Sequence, residues 1–248
     1  GTLFLILLGA LSRRHMDATV AGPSGVGAAS SVSDDDDRIT TTSWFGMIRH
    51  SVRLDAADGA DWDDRAERPY DTPVSDLELP RRQAEALRRF GFGRVVSSPF
   101  RRCLQTAAAV ARVLGIGVVD VDLELGEAMA HIKKSGWPSA DHELSYLSDE
   151  AMRALLIEQD GVELGAVAGE KPRLGQDDAE RFRGAVRRLR AQSGVGQLLV
   201  THGDAIGQAV ELLTGQTVID VAFCGWVAFE QPDGRDMVCD GVTSLTLD

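Results

Sequence analysis

Two kinds of apolar pattern alternate along most of this chain. Short, nearly continuous apolar runs predict buried strands, and apolar residues spaced three or four apart predict helices. Trp44 to Ile48 is the first such run. Arg81 to Phe90 follows with Ala84, Leu87 and Phe90 at helical spacing, and Gly91 and Gly93 end it. Val95-Val96 predicts a second strand, Arg101 to Leu114 a helix closed by Gly115, and Ile116 to Val121 a third strand. Helices are predicted over Asp149 to Glu158 and Asp177 to Gln192, with Asp177 or Asp178 as N-cap of the latter. Gln197 to Val200 predicts a fourth strand and Ala205 to Leu213 the helix after it. Val218 to Phe229 holds one or two more strands, and Val242 to Leu247 a last one. Repeated strand–helix alternation predicts an α/β fold of three layers, α/β/α, around a mainly parallel sheet.

The pattern fails before residue 43. Leu3 to Leu8 is strongly apolar and Arg13-Arg14 follow, a run too short to span a membrane. It resembles the remnant of a signal or anchor segment as much as a core strand. From Asp17 to Thr42, Gly, Ala, Ser and Asp34 to Asp37 dominate, which reads as a flexible lead-in. Gly22 to Gly27 looks briefly like a phosphate loop but lacks the Lys-Ser/Thr that such a loop needs, since Ala28-Ala29 follow. The expected division is therefore residues 1–42 as apolar stretch and lead-in, and residues 43–248 as one folded domain.

Ligands of such sheets bind beyond the carboxyl ends of the strands. The residues there are Arg49 and His50, then Ser98, Pro99, Arg101 and Arg102, then Asp122, Glu124 and Glu127, then Thr201 to Asp204. A neutral imidazole can attack phosphorus. Arginines and a second histidine can hold the phosphoryl oxygens, and a carboxylic acid can protonate the leaving oxygen. Arg49, His50, Arg102, His202 and Glu127 supply these parts, and the scheme requires no metal and no cofactor.

The motifs then become specific. Met47 to Asp55, with Arg49-His50-Ser51-Val52-Arg53-Leu54-Asp55, resembles the Arg-His-Gly-Glu-Arg-x-Asp signature of the histidine phosphatase superfamily. Arg68-Pro69-Tyr70-Asp71-Thr72-Pro73, with Trp62 before it, resembles a segment of one eukaryotic branch, which includes the ubiquitin-associated and SH3-domain-containing phosphatases. Ser97 to Thr106 is similar to the family's Ser-Ser-Pro-x-x-Arg-x-x-Gln-Thr motif, and Val200 to Asp204 to its second-histidine motif. The resemblance implies a phosphoglycerate-mutase-like fold, His50 as phosphorylated nucleophile, and Arg49, Arg102 and His202 around the phosphoryl group. It further implies that Arg53 assists, that Glu127 donates the proton with Glu124 as its near neighbour, and that an insertion of about 128–175 forms much of a cap. The chain departs from the pattern at Ser51 and Val52, where the family has Gly and an acid, and at Leu79-Pro80, where a Gly is usual.

The implied activity is metal-independent phosphomonoester hydrolysis through phosphohistidine. A phosphate- or phosphopeptide-binding relative without turnover and a mutase-type phosphoryl transferase are the alternatives. The partner is a small phosphorylated substrate or a phosphoprotein. A net charge of -12 argues against nucleic acid. Three widely spaced cysteines, Cys103, Cys224 and Cys239, point to a reducing compartment, hence the cytoplasm, with a secretory or anchored location as the alternative from the apolar N-terminus. No cysteine has an Arg six residues on, which excludes a cysteine-based tyrosine phosphatase, and no Gly-x-Ser-x-Gly elbow occurs. Asp120-Val121-Asp122 matches an aspartate-nucleophile phosphatase only briefly. His131, His142, Lys133 and Lys134 read as surface positions, His15 as part of the lead-in, and Trp137 as packing or pocket entrance. Substrate identity and oligomeric state are not legible.

Overall fold

A computed structural model describes residues 43–57, 61–134, 144–173, 175–192, 194–231 and 237–245. The N-terminal apolar run and lead-in, His15, Trp137 and His142 lie outside the described residues. The strands are β1 (Trp44–Arg49), β2 (Phe92–Ser97), β3 (Val118–Asp122), β4 (Glu163–Ala168), β5 (Gly196–Thr201), β6 (Thr217–Glu230) and β7 (Met237–Leu245). The helices are α1 (Leu54–Ala57), α2 (Glu78–Leu87), α3 (Arg101–Leu114), α4 (Met129–Lys134), α5 (Asp149–Asp160), α6 (Asp178–Gln192) and α7 (Gly203–Thr214). The strands form one sheet in the order β4-β3-β2-β5-β1-β6-β7. β1 to β5 run parallel, and β6 and β7 are antiparallel additions at one edge.

Alternate residues of the central strands feed two cores. Ile48, Val95, Leu198 and Val200 face one side, with Leu104, Ala108 and Met152 from α3 and α5. Phe45, Met47, Val96 and Leu199 face the other, with Phe182, Val186 and Ile206 from α6 and α7. Helices cover both faces, so β1 and β5 are apolar nearly throughout instead of alternating. Gly46 is required within β1, because a Cβ there would come 2.6 Å from the Phe92 ring. The fully buried run Ala107 to Ala111 lets α3 sit close against the sheet and α2. α3 stops at Gly115, whose φ of 76° is left-handed, and the Ile116 N–H turns back to the Ala111 carbonyl. Ile116 is thus spent on the helix end, and β3 begins at Val118 instead of Ile116.

The segment expected as a cap is a different object over much of its described length. β4 pairs with β3 in parallel, with Val121 opposite Val167, and forms the sheet edge. α5, capped at Ser148 by a hydrogen bond from the Ala151 N–H, packs on α3. From about 149 to 168 the chain therefore completes the α/β layers. Of the described residues in that segment, His131 of α4, directly after Glu127, lines the site's cavity. No helix among the described residues is long and apolar enough to cross a membrane.

Strand order sets the site. β5 lies between β1 and β2, so three parallel strands end side by side. Arg49 is opposite Thr201, and Ser97 opposite Val200. The ladder continues one residue further on each side, with His50 N donating to Thr201 O (3.0 Å) and Ser98 N to Val200 O (2.8 Å). His50, Ser98 and His202 are thereby brought together by main-chain pairing.

Candidate active site

His50 is 2% exposed, and its Nδ1 lies 2.8 Å from its neighbour's carbonyl oxygen, that of Ser51. A carbonyl only accepts, so Nδ1 carries the proton and Nε2 keeps the lone pair. Burial, then the nearby Arg102 and His202, hold the pKa of His50 well below that of a free imidazole. The ring is therefore neutral near pH 7, the form a nucleophile requires.

His202 stands edge-on to His50 with ring centroids 5.3 Å apart and makes a T-shaped contact with Phe100. Its Nδ1 lies 3.1 Å from Glu127 Oε2 and its Nε2 3.0 Å from Ser98 Oγ. Glu127 as a carboxylate only accepts, so Nδ1–H donates to it and the Ser98 hydroxyl donates to Nε2. Burial lowers the pKa of His202 to about 4.

Arg102 opens α3 and is almost wholly buried. Nη1 donates to Tyr70 O (2.9 Å), and Nη2 donates to Glu127 Oε2 (3.0 Å) and lies 3.4 Å from His202 Nδ1. Its guanidinium also stacks over Phe100, 4.5 Å from the ring centre. Arg49 donates to Val221 O and stacks on Phe223 at 4.3 Å. The Nε atoms of both arginines are buried without a hydrogen-bond partner. A buried donor left unpaired costs about 1–3 kcal/mol, a cost that a phosphate oxygen would relieve.

Glu127 joins the two sides. Beyond its Oε2 contacts, Oε1 accepts from Ala128 N (3.2 Å) and lies 3.5 Å from His131 Nδ1. Burial alone would raise its pKa, but His202, His131 and Arg102 outweigh burial and hold it well below the usual carboxylate range. Glu124, the neighbour that competes for this role in the sequence, faces away and pairs with Arg188. Arg49, His50 and Glu127 line a cavity of about 360 Å³, walled by α7 on one side and by residues 217–221 of β6 on the other.

The motif residues divide by task. Thr106 accepts from Ser51 N and donates to Arg102 O. Gln105 accepts from Val74 N. Tyr70 contributes its carbonyl to Arg102, and Asp71 accepts from Arg101 N (2.7 Å) at the start of α3. Arg68 and Arg101 both pair with Asp64. The Arg-Pro-Tyr-Asp segment thus fixes the start of α3, and through it Arg102.

Two residues of the first motif are tied to neighbours of their own. The Ser51 hydroxyl donates to Asp76 O (2.8 Å), so the extra side chain is spent on tethering a neighbouring loop. Arg53 is not brought to the cavity wall. Its guanidinium is forked onto Asp55, with contacts of 2.9 and 2.5 Å, so with Val52 in place of an acid it is Asp55 that holds this arginine.

Two neighbours of the site, Phe223 and His131, were not legible as such. Phe223 packs on both Arg49 and His50. An irregularity of register in β6 puts it there, and Cys224 beside it has a φ of 55°. Such a conformation is costly for a residue with a Cβ and is met mostly at functional positions. His131 and Asp204, 3.4 Å apart, complete the rim. The Glu127–His131 spacing of four within a helical turn was the available signal. Burial pushes the thiols of Cys103 and Cys224 up to about 12, which leaves both protonated and poor as nucleophiles. The ligand atoms of His50, Glu127 and His202, and those of Glu127, His131 and Asp204, lie within 4.8 Å of one another, close enough to share an ion. In the first group His202 Nδ1 already faces Glu127 Oε2, and in the second His131 Nδ1 faces both Glu127 and Asp204.

The model of the histidine phosphatase superfamily (branch 1) matches residues 63–223, a stretch that takes in Arg102, Glu127 and His202. Among solved structures, the chain is similar to the ecdysone phosphate phosphatase of Bombix mori in complex with tungstate. That pair is 17% identical, with 79% of this chain and 92% of that one covered and a TM-score of 0.58. It is also similar to a mycobacterial glucosyl-3-phosphoglycerate phosphatase (21% identical, 80% and 96% covered, TM-score 0.49). A third is phosphoglycerate mutase of Bacillus anthracis (18%, 81% and 92%, 0.48). At 17% identity the likeness to the first of these is one of fold. No curated protein matches the chain by sequence.

Proposed function

Because the chain belongs to the histidine phosphatase superfamily (branch 1), a family of phosphoryl hydrolysis and transfer, we propose that it hydrolyses phosphomonoesters without a metal, through a phosphohistidine at His50. The observation that carries this reading is the Nδ1–H of His50 on the Ser51 carbonyl, which leaves Nε2 as a neutral, unprotonated nitrogen beside Arg102 and His202.

The substrate phosphate takes the donors of Arg49, Arg102 and His202. Nε2 of His50 attacks phosphorus, the ester P–O bond breaks, and the leaving oxygen takes a proton from Glu127. Glu127 has that proton only if its pKa rises when substrate binds. A dianionic phosphate does this in two ways, by competing for Arg102 and His202 and by adding negative charge close by. In the second half, water attacks the phosphohistidine, Glu127 accepts the water's proton, and the P–N bond breaks to return neutral His50. The charge and proton roles are thus all filled by side chains, which motivates the metal-independent reading.

Hydrolysis of p-nitrophenyl phosphate, followed over about pH 4–8 with and without EDTA, tests the proposal beside His50→Ala. Activity that EDTA spares and His50→Ala abolishes supports it. A folded wild type that binds phosphate but shows no turnover sinks it in favour of a phosphate-binding relative.

A further inference from the structure

Among the described residues, His131 is the histidine near the site that the reaction scheme leaves unused. It lies on α4, half-exposed at the cavity mouth, with Nδ1 3.5 Å from Glu127 Oε1 and 3.4 Å from Asp204 Oδ2. Asp204 sits in the first turn of α7, next but one to His202. His131 therefore ties the loop that carries Glu127 to the helix that follows the second active-site histidine.

The two oxygens of Glu127 have different partners. Oε2 faces Arg102 and His202, the groups that phosphate must take over. Oε1 faces the Ala128 N–H and His131, which phosphate does not contact in the scheme above. Once phosphate has stripped Oε2 of its donors, the side chain among the described residues that still faces the carboxyl group is His131. Its own orientation is set by Asp204.

We propose that His131 is a positioning residue for the proton donor, a strut braced on Asp204 that keeps Glu127 aimed at the leaving oxygen while Arg102 and His202 are occupied by phosphate. This rests on the reading of Glu127 as proton donor. The hydrogen bond that Glu127 accepts from His131 also raises the pKa of His131, which favours a charged donor facing the carboxylate that forms when the proton leaves. Lys134 and Asp204 are the other charges that act on it.

The test is the dependence of rate on the leaving group, measured on the full chain with a primary alkyl phosphate and with p-nitrophenyl phosphate. An alkoxide needs the proton in the transition state and nitrophenolate hardly does. His131→Ala is expected to lose roughly 10- to 100-fold in kcat/KM, which reports on phosphorylation of His50 and not on the shared hydrolysis step, on the alkyl phosphate, and far less on the nitrophenyl ester, as misplacement of one catalytic group predicts. His131→Asn, which keeps a donor near the Nδ1 position, is expected to recover part of that loss. In a Glu127→Gln background His131→Ala should add nothing. Equal losses on both substrates, or a loss additive with Glu127→Gln, overturn the proposal. If Glu127→Gln itself shows no dependence on the leaving group, the assignment of Glu127 falls and this inference with it. If Glu127→Gln shows the dependence and His131→Ala does not, the inference alone falls. Because His131 is half-exposed, an unchanged melting temperature can be required of each variant.

Discussion

Nη2 of Arg102 lies 3.0 Å from Oε2 of Glu127, so the guanidinium that phosphate needs is bound to the carboxylate that must later give up a proton. Binding of an anion and protonation of Glu127 are therefore linked. Sulfate is a suitable probe because it remains a dianion over the whole range of interest. Its affinity should rise as pH falls from about 7 to 5, with up to one proton taken up per anion bound, and Glu127→Gln should flatten that dependence. Titration calorimetry in buffers of different ionisation enthalpy measures the proton uptake. Sulfate binding with no proton uptake in the wild type would separate Glu127 from the anion site.

Arg102 should be far more sensitive than Arg53. Arg102→Lys removes the fork that reaches Tyr70 O and Glu127 together, and a loss of about 10²–10³ in kcat/KM is expected for one preorganised charge-stabilising donor. Arg102→Ala should in addition destabilise the fold by about 3–5 kcal/mol, since it leaves the Glu127 carboxylate buried beside an empty space. Arg53→Ala should lower the rate much less, because that guanidinium is committed to Asp55. Steady-state kinetics and urea denaturation of the three variants check this. Equal loss of rate for Arg53→Ala and Arg102→Lys would place Arg53 on the phosphate after all.

Ser51→Gly restores the residue usual in the family. The Ser51 hydroxyl holds Asp76 O, so its removal should cost about 1 kcal/mol of stability. The rate of p-nitrophenyl phosphate hydrolysis should not rise, since the hydroxyl is drawn away towards that carbonyl. A large gain in rate would show that the serine does crowd the phosphate.

Much of this site could be read in the sequence because three of the motifs follow strand ends. Continuous apolar runs mark β1, β2 and β5, and His50, Arg102 and His202 come directly after them. β4 escaped the pattern for a physical reason. It is an edge strand of small and partly exposed residues, Glu163 to Ala168, with little apolar signal. Gly165 looks like a break, yet a Cβ there would meet Asp120 Oδ1 at 2.2 Å, so the glycine permits the pairing. Phe223 escaped because its direction depends on the irregularity in β6 and on the left-handed Cys224. His131 escaped because a half-exposed histidine on a six-residue helix resembles any surface histidine until Asp204 is brought beside it by α7.

The two buried histidines set an acid limit on stability. In the unfolded chain they titrate near 6.5, and in the fold burial depresses both, His202 to about 4. Between those values the unfolded state binds more protons, so stability is full above about pH 6.5 and falls as pH drops towards 4. For His202 the slope is about 1.4 kcal/mol per pH unit inside that window. Melting temperatures of wild type and His202→Gln over this range should converge as pH falls. Parallel curves would mean that His202 is not buried in its neutral form.

The central claim is covalent chemistry at His50, and trapping the intermediate tests it most directly. Rapid acid-free quenching of enzyme turning over an aryl phosphate, followed by peptide mass spectrometry under alkaline conditions, should find a phosphoryl group on the peptide that holds His50. The adduct should be lost on mild acid treatment and be missing in His50→Ala. A phosphoryl group on any other residue, or steady turnover in His50→Ala, would contradict the account.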